Sequence, residues 1–408
     1  MSSSSGPWGS EGGRRAPARV LGLADAVGIG MAAMVGAGVF VVFAPAAEAA
    51  GAWLPLALLV AGVVAYCNAV SSARLAAVHP ESGGTYVYGT RRLGELWGYV
   101  AGWAFVVGKT ASCAAMALTF GAYVWPGWER PVAVVAVVVL AVLDYRGVRR
   151  SAAVMRLLLV AVLAVLAVVV GVAWFGGQAE VARLAVVGEW PGFFGVLGAA
   201  GMLFFAFAGY ARIATLGGEV REPQWVIPRA VAVAVVAVMV VYVVVGASAL
   251  AVLGRSGLAE SAAPLVAVVS RSGFGGLAPV VAVGAALASL GALLSLLLGV
   301  SRTVAAMAGD GHLPGWLSGV HPRFGAPHRA GVVVAVVVAV VVALVGDVRG
   351  AIGFSSFGVL MYYAIANASA LRLGAGENRP PLVVPLVGLL GCVVLAFSLP
   401  LSAVVSGG

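Results

Sequence analysis

The stretch from Gly28 to Phe40 reads GIGMAAMVGAGVF and places four glycines in an otherwise apolar run. Glycine weakens a helix, so the Gly36–Gly38 pair predicts an interruption within a long apolar segment. An interruption inside a membrane exposes backbone N–H and C=O groups, which is tolerated only around a ligand or a water cavity. Glycines also let membrane helices pack closely, and this simpler interpretation stays open.

The composition places this stretch in a membrane. Of the 408 residues, 62% are hydrophobic and only 10% are charged, against about 25% charged in soluble domains. Runs such as Val132–Val142 are apolar on every face, whereas a β-barrel strand would alternate. The sequence therefore predicts an all-α integral membrane protein.

Eleven apolar segments are long enough to cross a bilayer or nearly so. They are Leu23–Pro45, Trp53–Val78, Leu96–Val124, Pro131–Tyr145, Val154–Phe175, Phe193–Leu216, Ile227–Leu253, Leu277–Ala306, Ala330–Val345, Gly350–Leu373 and Leu382–Leu399. We expect residues 1–20 to be a disordered cytoplasmic tail and residues 21–373 to be a ten-helix core. Residues 374–408 would form an eleventh helix and a short tail.

A second interrupted stretch lies in the sixth segment, where Phe204 to Arg212 reads FFAFAGYAR. Five segments separate its start from that of the first segment, and an odd number of crossings inverts the second unit relative to the first. The pattern predicts two inverted repeats, 21–175 and 193–373. Exposed N–H groups at such breaks suit a carboxylate, and exposed carbonyls suit an ammonium.

The charges indicate orientation rather than a nucleic-acid partner. With the N-terminus in the cytoplasm, 18 of the 23 arginines fall on the inner side and five on the outer side, as the positive-inside rule requires. No basic patch interleaved with aromatic residues is present, so no nucleic acid is expected. We predict a multi-pass protein of a cytoplasmic membrane, from a bacterium.

Polar residues within the segments are few. Cys67, Cys113 and Cys392 all lie in apolar segments, which argues against a disulfide framework. The four histidines lack ligand spacing, and no nucleophile and base pair occurs at mid-membrane, so neither metal, cofactor nor enzyme activity is expected. Asn68 and Asn367 are expected to hydrogen-bond between helices.

Lys109 is the only lysine in the chain and lies in the middle of the third segment. Lysine can lose its proton in an apolar site, while arginine effectively cannot. One hypothesis makes Lys109 a group that takes up and releases a proton during function. The other makes it a fixed cation that hydrogen-bonds to the carbonyls of a broken helix. Both place it near the substrate.

Several ordered motifs resemble the amino acid–polyamine–organocation superfamily of permeases, in its basic amino acid/polyamine antiporter-like or its cationic amino acid transporter-like branch. The similarity runs from Gly22 to about Leu373. Besides the two interrupted stretches, the motifs are Pro80–Tyr88, Gly147–Ser151, Pro228, Ser301–Arg302, Asp310–Pro314 and His321–Arg323. The resemblance implies the LeuT-like inverted-repeat fold and the transport of amino acids or related amines.

The resemblance also implies a substrate site at the two breaks. The substrate carboxylate would meet the backbone of Met34, Val35, Gly36, Ala37 and Gly38. Its ammonium would meet the carbonyls of Phe205, Ala206 and Ala208. Phe207, Gly209 and Tyr210 would wall or gate the side-chain pocket, and Arg212 would set selectivity or line the cytoplasmic mouth.

The chain departs from the family pattern in several places. Ala37 replaces a hydroxyl residue often found there, and Val162 lies where some proton-coupled relatives have a lysine. Arg212 replaces an acid common in cationic permeases, which argues against strict preference for lysine or arginine. The family usually has a twelfth helix, whereas this sequence stops at Gly408 after eleven segments.

These features predict a secondary active transporter that moves amino acids by alternating access, coupled to protons through Lys109. The alternatives are an uncoupled amino acid or amine exchanger, and a receptor or scaffold that keeps the fold without transporting. The expected partners are an amino acid or related amine, protons and the lipid bilayer.

Overall fold

The computed structural model describes residues 21–79, 83–146, 152–186, 189–214, 220–321, 326–344 and 347–399. The predicted tail at 1–20 lies outside these described residues. Within them the chain is helical, and the only β pairing is an isolated bridge between Leu21 and Val220. The prediction of an all-α protein is therefore confirmed.

The described residues form sixteen α-helices, because apolar runs are interrupted where glycine or proline clusters occur. They are α1 Leu23–Met34, α2 Gly38–Val41, α3 Phe43–Ala50, α4 Leu54–Val78, α5 Thr85–Leu93, α6 Glu95–Val124, α7 Glu129–Tyr145, α8 Ala152–Phe175, α9 Gly192–Phe207, α10 Ala211–Ala214, α11 Pro223–Ala259, α12 Pro264–Arg271, α13 Ala278–Gly309, α14 His328–Leu344, α15 Val348–Leu371 and α16 Val383–Ser398.

Eight helical segments of the described chain are long and apolar enough to cross a membrane, and α14 and α16 are shorter apolar helices. A backbone helix satisfies its own hydrogen bonds, which is why such segments can sit in hydrocarbon. The multi-pass prediction is confirmed. The count of eleven crossings, the orientation and the division into repeats stay predictions.

The first and sixth predicted segments are both interrupted at their glycines. The first ends as α1 at Met34 and resumes as α2 at Gly38, with Val35 at φ −76° and ψ 53° between them. The sixth ends as α9 at Phe207 and resumes as α10 at Ala211. The predicted interruptions are thus confirmed in both stretches.

Helices α6 and α15 cross with their backbones in contact. A Cβ atom added to Gly358 would lie 2.8 Å from the Cα of Gly108, closer than side chains allow. Beside this crossing, the hydroxyls of Ser112 and Ser355 are 2.6 Å apart. The crossing fixes α6, which carries Lys109, against α15.

A buried polar cluster joins α15 to two further helices, α4 and α16. The amide nitrogen of Asn367 donates to the amide oxygen of Asn68 at 2.6 Å, and Asn68 in turn donates to the sulfur of Cys392 at 3.1 Å. Polar groups in an apolar interior are stabilised only when they are paired. The prediction that Asn68 and Asn367 hydrogen-bond between helices is confirmed, and the two bond to each other.

Half-buried arginines hold both ends of α15. At its start, Arg349 forms an ion pair with Glu48 of α3 and donates to the carbonyl of Ala259 at 2.6 Å. Beyond its end, Arg92 of α5 donates two hydrogen bonds to Glu377, of 2.9 Å and 2.5 Å. These bonds lower the pKa of Glu377 to about 2, so its carboxylate is charged at neutral pH.

Candidate functional site at the two broken helices

The two broken helices meet at their glycines. A Cβ atom on Gly38 would lie 2.9 Å from the Cα of Ala206, and one on Gly209 would lie 2.7 Å from the amide nitrogen of Met34. Such distances are too short for any side chain. Gly38 and Gly209 are therefore required for the close approach of α1–α2 to α9–α10.

Tyr242 of α11 bridges the two breaks. Its hydroxyl is 2.7 Å from the carbonyl oxygen of Met34 and 3.0 Å from that of Ala206. Its ring packs edge-on against Phe207, with 4.9 Å between the ring centroids. The Met34 carbonyl also accepts from the amide of Gly36 at 2.7 Å, whereas the Ala206 carbonyl lies in the last turn of α9, where helix carbonyls lack a backbone partner. The Tyr242 hydroxyl therefore ties the two breaks together.

Sequence reasoning missed Tyr242, although a signal was present. Between Arg229 and Ser248 it is the only residue with a polar side chain. A polar group in the middle of an apolar membrane segment normally faces a partner in the bundle interior. That rarity could have identified Tyr242, but not the two carbonyls that it contacts.

Lys109 lies beside the sixth-helix break. Its side chain is buried, with 8% exposed, and its Nζ donates to the carbonyl oxygen of Ala208 at 3.4 Å. The hydroxyl of Tyr363 on α15 donates to the same oxygen at 3.5 Å. All three carbonyls expected to bind an ammonium thus already have donors from the protein: that of Phe205 accepts from the amide of Ala208 at 3.4 Å, that of Ala206 from Tyr242, and that of Ala208 from Lys109 and Tyr363.

The N-terminal end of α2 follows directly after the first-helix break. Only Val42, itself in helical geometry, separates α2 from α3, so Gly38–Ala50 forms a nearly continuous helix. Among the hydrogen bonds of the described residues, none is donated by the amides of Ala37, Gly38 or Val39. Free N–H groups at the start of a helix can bind a carboxylate.

The remaining predicted residues lie at different depths. Phe205, Phe207 and Tyr210 are buried, and the Tyr210 ring lies 4.9 Å from that of Tyr363. Arg212 is exposed on α10. The structure therefore brings residues 34–38, 205–210 and Lys109 together, and Arg212 follows this group as an exposed residue whose amide donates to the carbonyl of Gly209.

Replacing Tyr242 by phenylalanine should weaken transport about tenfold while the protein stays folded. The change removes the side-chain donor of the buried Ala206 carbonyl and one of the two donors of the Met34 carbonyl, and an unpaired buried carbonyl costs about 1–3 kcal/mol. Initial uptake rates in proteoliposomes measure the effect. Tyr66→Phe is the control, because Tyr66 is exposed on α4; equal rates for both variants would contradict the bridging role.

Two interrupted helices in contact within a bundle of apolar spans are typical of secondary transporters. The comparison with known families agrees: the chain belongs to the amino acid permease family, which it matches over residues 21–408. This confirms the predicted superfamily and identifies the chain as a permease rather than an enzyme.

Known relatives cover most of the chain. Uncharacterised transporters of Mycobacterium tuberculosis and Mycobacterium bovis are 60% identical over 389 residues, which is 95% of this chain and 88% of theirs. A branched-chain amino acid permease of Bacillus subtilis is 27% identical, over 78% of this chain and 73% of its own. The cationic amino acid transporter 4 of Mus musculus is 26% identical, over 89% and 61%.

Proposed function

We propose that this permease moves amino acids across the cytoplasmic membrane by alternating access and couples their movement to protons through Lys109. The observation that carries the proposal is the contact between Lys109 Nζ and the carbonyl oxygen of Ala208. It joins α6 to the sixth-helix break. The substrate lies at the same break, with its carboxylate at residues 34–38 and its ammonium near the carbonyls of Phe205, Ala206 and Ala208.

The coupling follows from the charge dependence of this contact. A protonated lysine binds a carbonyl more strongly than a neutral amine does, because a charged donor makes the stronger hydrogen bond. Loss of the proton weakens the hold on Ala208 and changes the shape of the break that binds the substrate. Protonation of Lys109 and substrate binding are then linked by one coupling free energy. Each changes the affinity for the other by the same factor.

The contact between Lys109 and the Ala208 carbonyl also supports one other function. If Lys109 keeps its proton throughout, it acts as a fixed cation on the Ala208 carbonyl, and the protein exchanges amino acids without moving protons. Arginine always carries its charge, so substitution by arginine distinguishes the two functions. A receptor that never transports would show neither exchange nor uptake.

The test compares wild type with Lys109→Arg and Lys109→Met in proteoliposomes. We expect a pH gradient, acidic outside, to drive accumulation of a labelled amino acid in wild type, and at least a tenfold loss of that accumulation in both variants. Lys109→Met should still exchange substrate across the membrane, because both breaks remain in place. Accumulation by Lys109→Arg at the wild-type level would contradict proton coupling and favour the fixed cation.

A further inference from the structure

The two breaks lie in a region where the described residues contribute a cation and no carboxylate. Twelve carboxylates belong to the described residues, and each lies within about a turn of a helix end or in a connection. They are Asp25, Glu48, Glu95, Glu129, Asp144, Glu180, Glu189, Glu222, Glu260, Asp310, Asp347 and Glu377. Of these only Asp144 is buried, in the last turn of α7.

The groups that do surround the breaks are aromatic or small. Phe207 packs on Tyr242, and Tyr210 packs on Tyr363. On α13, the Cβ of Ala292 is 3.4 Å from the position that a Cβ on Gly36 would take. The charged side chain found here is Lys109, which is buried and turned to the Ala208 carbonyl.

We propose that the site accepts amino acids with neutral, apolar side chains and rejects lysine and arginine. The inference rests on the proposed function, because it concerns the substrate of the same site. A cationic side chain would lose its hydration beside Lys109 without gaining a counter-charge, and an unpaired buried charge is strongly unfavourable. An aliphatic or aromatic side chain instead gains apolar contact with the phenyl and phenol rings.

Exchange in proteoliposomes tests the substrate class directly. Vesicles loaded with one unlabelled amino acid receive the same amino acid in labelled form, for leucine, phenylalanine, arginine and glutamate in turn. We expect leucine or phenylalanine to exchange at least tenfold faster than arginine. Arginine or glutamate exchanging as fast would overturn the substrate class and leave transport intact. If none of these four exchanges, and none of the other sixteen does in the same assay, the proposed function fails and the substrate class fails with it.

A gain of function gives the second measurement. Ala292→Asp places a carboxylate against Gly36, and Ala292→Asn places a neutral group of the same size there. The aspartate variant should raise arginine exchange relative to leucine exchange at least tenfold, while the asparagine variant keeps the wild-type preference. An unchanged preference in a folded Ala292→Asp protein would contradict the idea that a missing counter-charge excludes cations.

Discussion

The Gly209→Ala variant is expected to lose transport almost completely while keeping its folded state. The added Cβ would lie 2.7 Å from the amide nitrogen of Met34, and the carbonyl of Ala33 lies closer still. These are backbone atoms, so the two broken helices themselves must separate. Forced overpacking costs about 1–3 kcal/mol, and a displacement of about 1 Å at a site can lower its rate about 100-fold.

The measurement is amino acid exchange in proteoliposomes, together with thermal unfolding in detergent. Gly171→Ala on α8 is the matched control, because a Cβ there meets no heavy atom within 4 Å. We expect the control to transport like wild type. If Gly209→Ala exchanged substrate at the rate of the control, the contact between the breaks would not be required for function.

The main expected effect of the Gly358→Ala variant is a loss of stability. Its Cβ would lie 2.8 Å from the Cα of Gly108, where α6 and α15 cross. The helices can admit a methyl group only by moving apart, which also lengthens the 2.6 Å contact between Ser112 and Ser355. An overpacking cost of about 1–3 kcal/mol is a large share of a typical stability of about 5–15 kcal/mol.

The thermal midpoint in detergent and the yield of monodisperse protein measure this effect. Gly299→Ala on α13 serves as the control, because no heavy atom lies within 4 Å of its added Cβ. The midpoint should fall by several degrees for Gly358→Ala and remain unchanged for the control. Equal midpoints would mean that the crossing adjusts without cost.

The sequence was most informative where the effect of a residue type depends only on its own position in the chain. Gly36, Gly38 and Gly209 predicted the interruptions because glycine alters backbone preferences wherever it stands. Asn68 and Asn367 predicted a hydrogen bond because polar groups are scarce in apolar helices. These inferences needed no knowledge of how the helices are rotated.

The remaining contacts depend on the rotation and depth of whole helices, which one sequence does not specify. Lys109 and Ala208 are 99 positions apart in the chain, and Tyr242 and Met34 are 208 apart. Gly108 and Gly358 bring the backbones of α6 and α15 into contact, yet nothing distinguishes them among 57 glycines. Their partners are set by tertiary packing.

The way in which α15 is held has a consequence for ionic strength. Its two ends are tied by ion pairs whose side chains are partly exposed, namely Arg349 with Glu48 and Arg92 with Glu377. The screening length falls from about 8 Å at 0.15 M salt to about 3 Å at 1 M. The buried crossing at Gly108 and Gly358 involves no charge, so the same salt leaves it unchanged. Concentrated salt therefore loosens this helix at both ends while its centre stays fixed.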